Sequence, residues 1–377
     1  MMRCTSWRSA IIHVVIIATF WCAHSVNHWS SILTRAKKDL ANALAGNADS
    51  DTAVENGPQG ERRPVTDTEI AALVEQANAQ LRDNDINGVL ESFFSVLDAD
   101  PTRHDINTVM GSILSSVGQF ELAEGFLFSA VQLSNWTYIP AVASLADTLR
   151  LDNEPVLAEQ VASKGLSAGG VDGKELLQAA MGHIMVQAEK YSAAADWFLA
   201  AALTRPASVE YWLKASTMLF PSAHRDYTFA ANVLSEAMKT HANEPQLLYQ
   251  TALVLHSTSR VADAIPLYEH SIRVDPDNAR PPALPALATA YHAVRRFPEA
   301  RAAYNRAVQL EPSNVVLLAN YALLLCSDDV GERDTGLAVL QQAKAMDANN
   351  ADVIRADAEC ASSRVREGQQ QMMVGEL

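Results

Sequence analysis

From about residue 66 onward, the sequence is divided by turn signals that recur every 34 to 36 residues. A period of this length indicates a stack of similar supersecondary units, and it constrains the fold more than any other feature of the chain. The length of 377 residues would by itself suggest two or three globular domains, but the repeat makes that division misleading. The eight units end at Pro101, Asn135, Gly170, Pro206, Ala242, Pro276, Pro312 and Ala348.

The clearest unit lies between Pro282 and Pro312 and contains two apolar helical faces. The first face carries Leu284, Leu287, Ala288 and Tyr291, and the second carries Ala300, Tyr304 and Ala307. This pattern resembles the tetratricopeptide repeat (TPR) family, with leucine in place of the usual tryptophan and alanine in place of the usual glycine. The second-helix pattern recurs at Ala123 and Leu127, at Ala194 and Phe198, and at Ala264 and Tyr268.

The resemblance implies an all-α, right-handed superhelical solenoid of about eight TPR-like helix pairs over residues 66–348. Alanine and glycine recur where two helices cross, because small side chains let the helix axes approach closely. The residues Thr66 and Glu69 form a capping-box signature at the start of the first helix. A capping helix is predicted over 349–367, with Ile354, Ala358, Ala361 and Val365 facing inward and Asp352, Arg355 and Glu359 facing solvent.

Residues 1–25 carry two arginines, no acidic residue and an apolar run from Ala10 to Ala23. The pattern predicts a signal peptide or an uncleaved signal anchor, and both interpretations stay open. The segment 26–65 is predicted to be a flexible linker, and 368–377 a disordered tail. We therefore expect the chain in the secretory pathway, in the lumen of the endoplasmic reticulum or anchored to its membrane. A mitochondrial or plastid address is the alternative.

Charge and motifs argue against several classes of function. The net charge of -15 disfavours nucleic acid as a partner. The run Gly165 to Gly169 matches G-x-S-x-G, but a nucleophile elbow needs a strand before the serine, and here a repeat helix precedes it. The sequence contains neither C-x-x-C nor H-E-x-x-H, so we predict no metal site, no cofactor and no enzymatic activity.

The resemblance implies that the first helices of the repeats line a concave groove. In the best-aligned repeats its residues would be Tyr249, Leu253, His256, Thr289, His292, Ala319 and Asn320. This set is nearly neutral and lacks the cluster of Lys, Arg and Asn with which some TPR proteins hold carboxylate tails of heat-shock chaperones. The two histidines lie one repeat apart, which is too far for shared metal ligation, so we interpret them as solvated groove residues.

A non-catalytic scaffold that binds a protein or peptide in this groove is the predicted function. Two alternatives stay open. One is a lumenal co-chaperone resembling TPR co-chaperones of the endoplasmic reticulum. The other is an accessory subunit of a membrane or lumenal enzyme such as a glycosyltransferase.

Two further features concern covalent chemistry. Asn135-Trp136-Thr137 is an acceptor sequon for N-glycosylation in a turn between two repeats. Cys326 and Cys360 are 34 residues apart, at equivalent points of successive helices. Helix axes pack 8–10 Å apart and a disulfide needs Cα atoms within about 7 Å, so we predict that the two cysteines are unpaired. A change of register near Cys326 would instead let them join the cap to the last repeat.

Overall fold

The computed structural model describes residues 66–83, 85–169, 172–218, 226–275, 283–327 and 330–361. Over these ranges all regular secondary structure is helical, with seventeen helices and no strand. The predicted leader and linker (1–65), the end of the predicted cap (362–367) and the predicted tail (368–377) lie outside the described residues, as do Gly170 and Pro276. The all-α prediction is confirmed.

The helices follow one another with short connections. The first eight are α1 (Asp67–Arg82), α2 (Ile86–Ala99), α3 (His104–Ser116), α4 (Phe120–Leu133), α5 (Ile139–Leu151), α6 (Pro155–Ser167), α7 (Lys174–Gln187) and α8 (Tyr191–Thr204). The next eight are α9 (Val209–Thr217), α10 (Tyr227–Thr240), α11 (Pro245–Ser257), α12 (Val261–Val274), α13 (Ala283–Ala293), α14 (Phe297–Leu310), α15 (Val315–Cys326) and α16 (Arg333–Asp347). The last, α17, covers residues 351–361.

Each odd-numbered helix from α1 to α15 packs against the even-numbered helix that follows it. The eight pairs end one to three residues before the eight predicted unit boundaries, so the predicted repeat length and register are confirmed. The predicted capping box also forms. The Thr66 amide donates to Glu69 Oε2 (2.9 Å), and the Glu69 amide donates to Thr66 Oγ1 (3.4 Å).

The turn between the two helices of a pair is built the same way in five repeats. Three residues separate the helices, and the middle one has a positive φ. The amide of the third residue donates to a carbonyl five residues earlier, at 2.8–2.9 Å, which is the Schellman arrangement of a helix C-terminus. The middle residues are Gly118, Asn153, Glu189, Ser259 and Arg295.

The chain divides into two compact units, Met1–Arg205 and Pro206–Leu377, called unit 1 and unit 2 below. Unit 1 contains α1 to α8, and unit 2 contains α9 to α17.

In two pairs of unit 1, α3–α4 and α7–α8, the helices approach through glycine. A methyl group on Gly182 would stand 2.7–2.9 Å from atoms of the Phe198 ring, and one on Gly111 would stand 2.4 Å from Leu127 Cγ. Such distances are shorter than carbon contacts allow, so only glycine permits this approach.

Neighbouring repeats of unit 1 also join through hydroxyl groups on their first helices. Ser112 Oγ bonds to Ser144 Oγ at 3.2 Å, and Thr148 Oγ1 donates to Ser115 Oγ at 3.0 Å. These bonds connect α3 directly to α5.

Unit 2 is packed around tyrosines instead. Tyr268 and Tyr304 are almost fully buried, and Tyr291 and Tyr321 lie beside them in the same apolar cluster. The Tyr291 hydroxyl donates to Glu269 Oε1 (2.5 Å), which joins α13 to the preceding repeat. The Tyr321 hydroxyl donates in the same way to Asn305 Oδ1 (2.6 Å), joining α15 to α14.

The prediction that the two cysteines are unpaired is wrong. Cys326, the last residue of α15, and Cys360 in α17 form a disulfide with their Cα atoms 5.3 Å apart. The prediction equated the separation of helix axes with that of Cα atoms. Because Cα atoms lie about 2.3 Å from their axis, two that face each other are roughly 4.6 Å closer than the axes are, which is within bonding range.

The face that α17 buries also differs from the prediction. Val353, Ala356 and Cys360 are buried, whereas Ile354 is 57% exposed and Ala358 and Ala361 are exposed. The helix is therefore turned so that its cysteine, and not the predicted alanines, faces the preceding repeat. Val365 lies outside the described residues.

Candidate peptide-binding groove

The predicted groove residues lie on the first helices of three successive repeats in unit 2. Tyr249, Leu253 and His256 are on α11, Thr289 and His292 on α13, and Ala319 and Asn320 on α15. All except Ala319 are half-buried, so six of the seven side chains keep some exposed surface.

The α11 residues form one helical face, because they follow one another at intervals of four and three positions. The rings of Tyr249 and His256 both pack against the ring of Tyr268 on α12, with centroids 5.9 and 6.3 Å away. Burial raises the pKa of Tyr249 and lowers the pKa of His256, and both shifts favour the neutral forms near pH 7. Leu253 lies between these two rings along α11, on a face that carries no charge.

Two buried polar groups in this repeat have unused hydrogen-bonding capacity. Tyr268 is 0% exposed, and its hydroxyl has no hydrogen-bond partner within the described part of the chain. Burial, with the neighbouring Tyr249, raises the pKa of this hydroxyl. Gln250 Oε1 is likewise buried without a partner among the described residues. Buried polar atoms are normally hydrogen-bonded, so these two atoms are exceptions to the general rule.

The α13 groove residues make contacts within their own repeat. Thr289 Oγ1 donates to the Ala286 carbonyl (2.8 Å), and the His292 ring meets the Phe297 ring at 6.1 Å between centroids. His256 and His292 therefore pack on different aromatic residues. Across the described ranges, no group of three or more His, Cys, Asp or Glu side chains could hold a metal ion.

On α15 the two predicted residues have different environments. Ala319 is fully buried in an apolar cluster at the end of unit 2, so its side chain presents no surface to a ligand. This cap cluster consists of Leu318, Ala319, Ala322, Cys326, Leu340, Ala343, Val353, Ala356 and Cys360. Asn320 Oδ1 accepts a hydrogen bond from Arg355 Nη2 (2.9 Å), and the same guanidinium pairs with Asp352 (2.9 Å).

Sequence reasoning assigned Arg355 to the solvent face of the cap and missed its contact with Asn320. The separation of 35 residues, about one repeat, is the signal that could have identified it. Residues one repeat apart occupy equivalent points of neighbouring helices and can touch.

The other motifs have structural roles. Gly165, Leu166 and Ser167 end α6, so the G-x-S-x-G run follows a helix and not a strand. Asn135 is exposed in the turn between α4 and α5, and the Trp136 side chain next to it is buried beneath the Lys164 ammonium group (4.3 Å). Among the helices that the structure describes, none has the length and apolarity needed to cross a membrane.

No family model and no curated protein matches the sequence. Solved structures do match. The C-terminal part of a TPR repeat-containing protein from Cytophaga hutchinsonii is similar with a TM-score of 0.51 and 12% identity, over 66% of this chain and 98% of that one. YrrB, described as a TPR protein with an unusual peptide-binding site, has a TM-score of 0.38 and 16% identity. The match covers 55% of this chain and 99% of YrrB.

The APC/C hetero-tetramer Cut9-Hcn1 gives a TM-score of 0.47 and 15% identity over 78% of this chain, which spans only 57% of the matched chain. At these identities the likeness concerns the fold alone, and among these three the Cytophaga hutchinsonii protein has the highest TM-score. The chain therefore has the fold of TPR-like helix pairs that the sequence predicted.

Proposed function

We propose that this protein is a non-catalytic scaffold that binds a protein or peptide segment along α11, α13 and α15 of unit 2. The observation that carries the proposal is the face formed by Tyr249, Leu253 and His256. Its side chains are half-buried, uncharged near pH 7 and adjacent to the buried Tyr268 hydroxyl, which has no hydrogen-bond partner among the described residues. Tyrosine is enriched among the residues that anchor protein-binding surfaces.

The chemistry of this surface favours a neutral or weakly basic segment with apolar side chains. Within the predicted groove set no residue is cationic, and the nearest guanidinium, on Arg355, is already held by Asn320 and Asp352. The net charge of -15 also opposes an acidic ligand. We therefore expect apolar contacts and peptide hydrogen bonds to supply the affinity.

A selection from a random twelve-residue peptide library on the full chain tests the proposal. One selected peptide is labelled and titrated by fluorescence polarisation against the native chain and two variants. Leu253→Glu introduces a charge on the groove face, whereas Leu310→Glu introduces the same charge at an exposed leucine of α14 in the same unit.

We expect Leu253→Glu to weaken binding about tenfold or more and Leu310→Glu to leave it unchanged. A tenfold change in affinity corresponds to about 1.4 kcal/mol of binding free energy. Selected peptides that bind both variants like the native chain would contradict the groove assignment.

We further propose that the repeats lie on the lumenal or external side of a membrane, or in the secreted protein. A buried disulfide supports this location, because such bonds persist in oxidising compartments. The exposed sequon at Asn135 is compatible with it.

Expression in eukaryotic cells, followed by glycosidase treatment, should shift the gel mobility of the native chain and not that of Asn135→Gln. Protease accessibility of the repeats from the cytosolic side of intact vesicles would contradict the proposed location.

A further inference from the structure

Within the described residues, α17 buries few side chains against the rest of unit 2. Its buried side chains are Val353, Ala356 and Cys360, whereas α15 buries eight side chains. Its docking therefore depends on these few buried side chains.

Polar contacts around α17 are mostly exposed. Lys344 pairs with Asp357 (2.6 Å) with both side chains two-fifths or more exposed, and Arg355 pairs with Asp352 within the same helix. Exposed pairs of this kind contribute up to about 1 kcal/mol each. Arg333 on α16 also donates to the Cys360 carbonyl. These contacts orient α17 but add little to its attachment.

The covalent bond is the strongest attachment. Cys360 is 0% exposed and Cys326 is 5% exposed, and both sulfur atoms lie inside the cap cluster. Gly336 of α16 leaves room for them, since a methyl group there would stand 2.9 Å from Cys326 Sγ. The bond closes a segment of 34 residues that contains the whole of α16. Closing a loop of this length typically stabilises a fold by about 3–4 kcal/mol.

We propose that the Cys326–Cys360 bond is a redox latch that holds α17 against the last repeat. When the disulfide is formed, α17 covers Leu318, Ala319 and Ala322 of α15. When it is reduced, α17 separates from this surface and the apolar side chains become accessible. Arg355 then leaves Asn320, so the latch also changes the end of the proposed groove. The latch itself does not depend on the proposed peptide binding.

The chemistry is ordinary thiol–disulfide exchange with a dithiol. A dithiol thiolate attacks one protein sulfur, forms a mixed disulfide and releases the other cysteine as a thiolate. The second thiol of the reductant then displaces the remaining cysteine, and the reductant becomes a cyclic disulfide. Two electrons pass to the protein, and two protons end on Cys326 and Cys360. A small-molecule disulfide such as glutathione disulfide reverses the reaction and leaves as two thiols.

Hydrogen exchange of the full chain, followed by mass spectrometry, tests the latch. The oxidised protein is compared with the same protein in dithiothreitol and with the Cys326→Ser, Cys360→Ser double variant. We expect exchange over residues 351–361 to become about tenfold faster or more on reduction. The double variant should exchange like the reduced protein and should not respond to dithiothreitol. Helix α5 of unit 1 serves as the internal control, because the described part of that unit contains no cysteine.

Two results would overturn the inference. One is equal exchange over 351–361 in the oxidised and reduced proteins, which would show that non-covalent contacts suffice to hold α17. The other is peptide mapping without reductant that finds both cysteines as free thiols in the chain expressed in an oxidising compartment.

Discussion

Unit 1 and unit 2 solve the same packing problem with different residues. At the point where the two helices of a pair cross, the α3–α4 and α7–α8 pairs of unit 1 have Gly111 and Gly182, sixteen residues before Leu127 and Phe198. The other two pairs of unit 1 have alanine there. At the equivalent points, unit 2 has Ala252 and Ala288, sixteen residues before Tyr268 and Tyr304. The size of each small residue fits that of the large residue opposite it. The side chains at these two positions therefore depend on each other.

The contacts between repeats also involve smaller side chains in unit 1 than in unit 2. Unit 1 uses short hydroxyl groups between first helices, as in Ser112 with Ser144. Unit 2 uses tyrosine hydroxyls that reach Glu269 and Asn305 on second helices. Tyrosine supplies apolar area and a polar end together, which explains why the proposed binding surface lies in the tyrosine-rich unit.

The largest loss of stability is expected when Gly182 of unit 1 is replaced by alanine, the residue at the helix crossings of unit 2. Gly182→Ala puts a methyl group within 2.9 Å of the Phe198 ring, so we expect unit 1 to lose about 1–3 kcal/mol of unfolding free energy, despite the better helix propensity of alanine. Urea denaturation measures the change. The exchange in the other direction, Ala288→Gly, should cost about 1 kcal/mol. A Gly182→Ala protein as stable as the native chain would show that the two crossings are interchangeable.

Removing a tyrosine hydroxyl that has a hydrogen-bond partner should have the next largest effect on stability. Tyr291→Phe loses the hydrogen bond to Glu269 and should lower the unfolding free energy of unit 2 by about 1.5 kcal/mol.

The same contact predicts a dependence on pH. Burial and the bond to Glu269 raise the pKa of Tyr291 to about 12, so the protonated hydroxyl is favoured in the folded state. The stabilisation it gives is complete below the ordinary tyrosine pKa of about 10 and is lost as the pH rises to about 12. Tyr291→Phe should make stability less sensitive to pH in this range. An identical alkaline profile in the variant would contradict the assignment.

A smaller loss is expected from the hydroxyl contacts of unit 1. Thr148→Val keeps the shape of a side chain that is 1% exposed but removes its bonds to Ser115 Oγ and the Ser144 carbonyl. We expect a cost of about 1 kcal/mol, measured by urea denaturation. Ser116→Ala is the matched control, because this exposed hydroxyl bonds only within its own helix. Equal effects of the two substitutions would show that the bond between repeats adds nothing.

The smallest effect is expected at the tyrosine whose hydroxyl has no partner in the described chain. Tyr268→Phe removes a buried polar group and keeps the ring that supports Tyr249 and His256. The stability of the free protein should be unchanged or up to about 1 kcal/mol higher. A clear loss of stability would show that a buried water molecule or another group satisfies the hydroxyl.

The sequence predicted the repeat boundaries well because their signals are local. A proline, asparagine or glycine after a helix, and small residues opposite aromatic ones, can be recognised within one unit. The side-chain environments were predicted less well because they depend on the next repeat. Ala319 is buried by residues that come from α16 and α17, and Arg355 reaches Asn320 across one repeat. The disulfide was missed because the separation of helix axes was taken for that of the Cα atoms, although Cys326 and Cys360 lie about one repeat apart.

The shared three-residue turn has a consequence for how the chain tolerates changes of length. Adding one residue between Val117 and Gln119 would break the bond from the Gln119 amide to the Leu114 carbonyl. It would also rotate α4 by about 100° relative to its apolar face, since a helix advances 3.6 residues per turn. The connection between α9 and α10 is longer, at nine residues. Insertions such as an epitope tag should therefore be tolerated after α9 and rejected within the short turns.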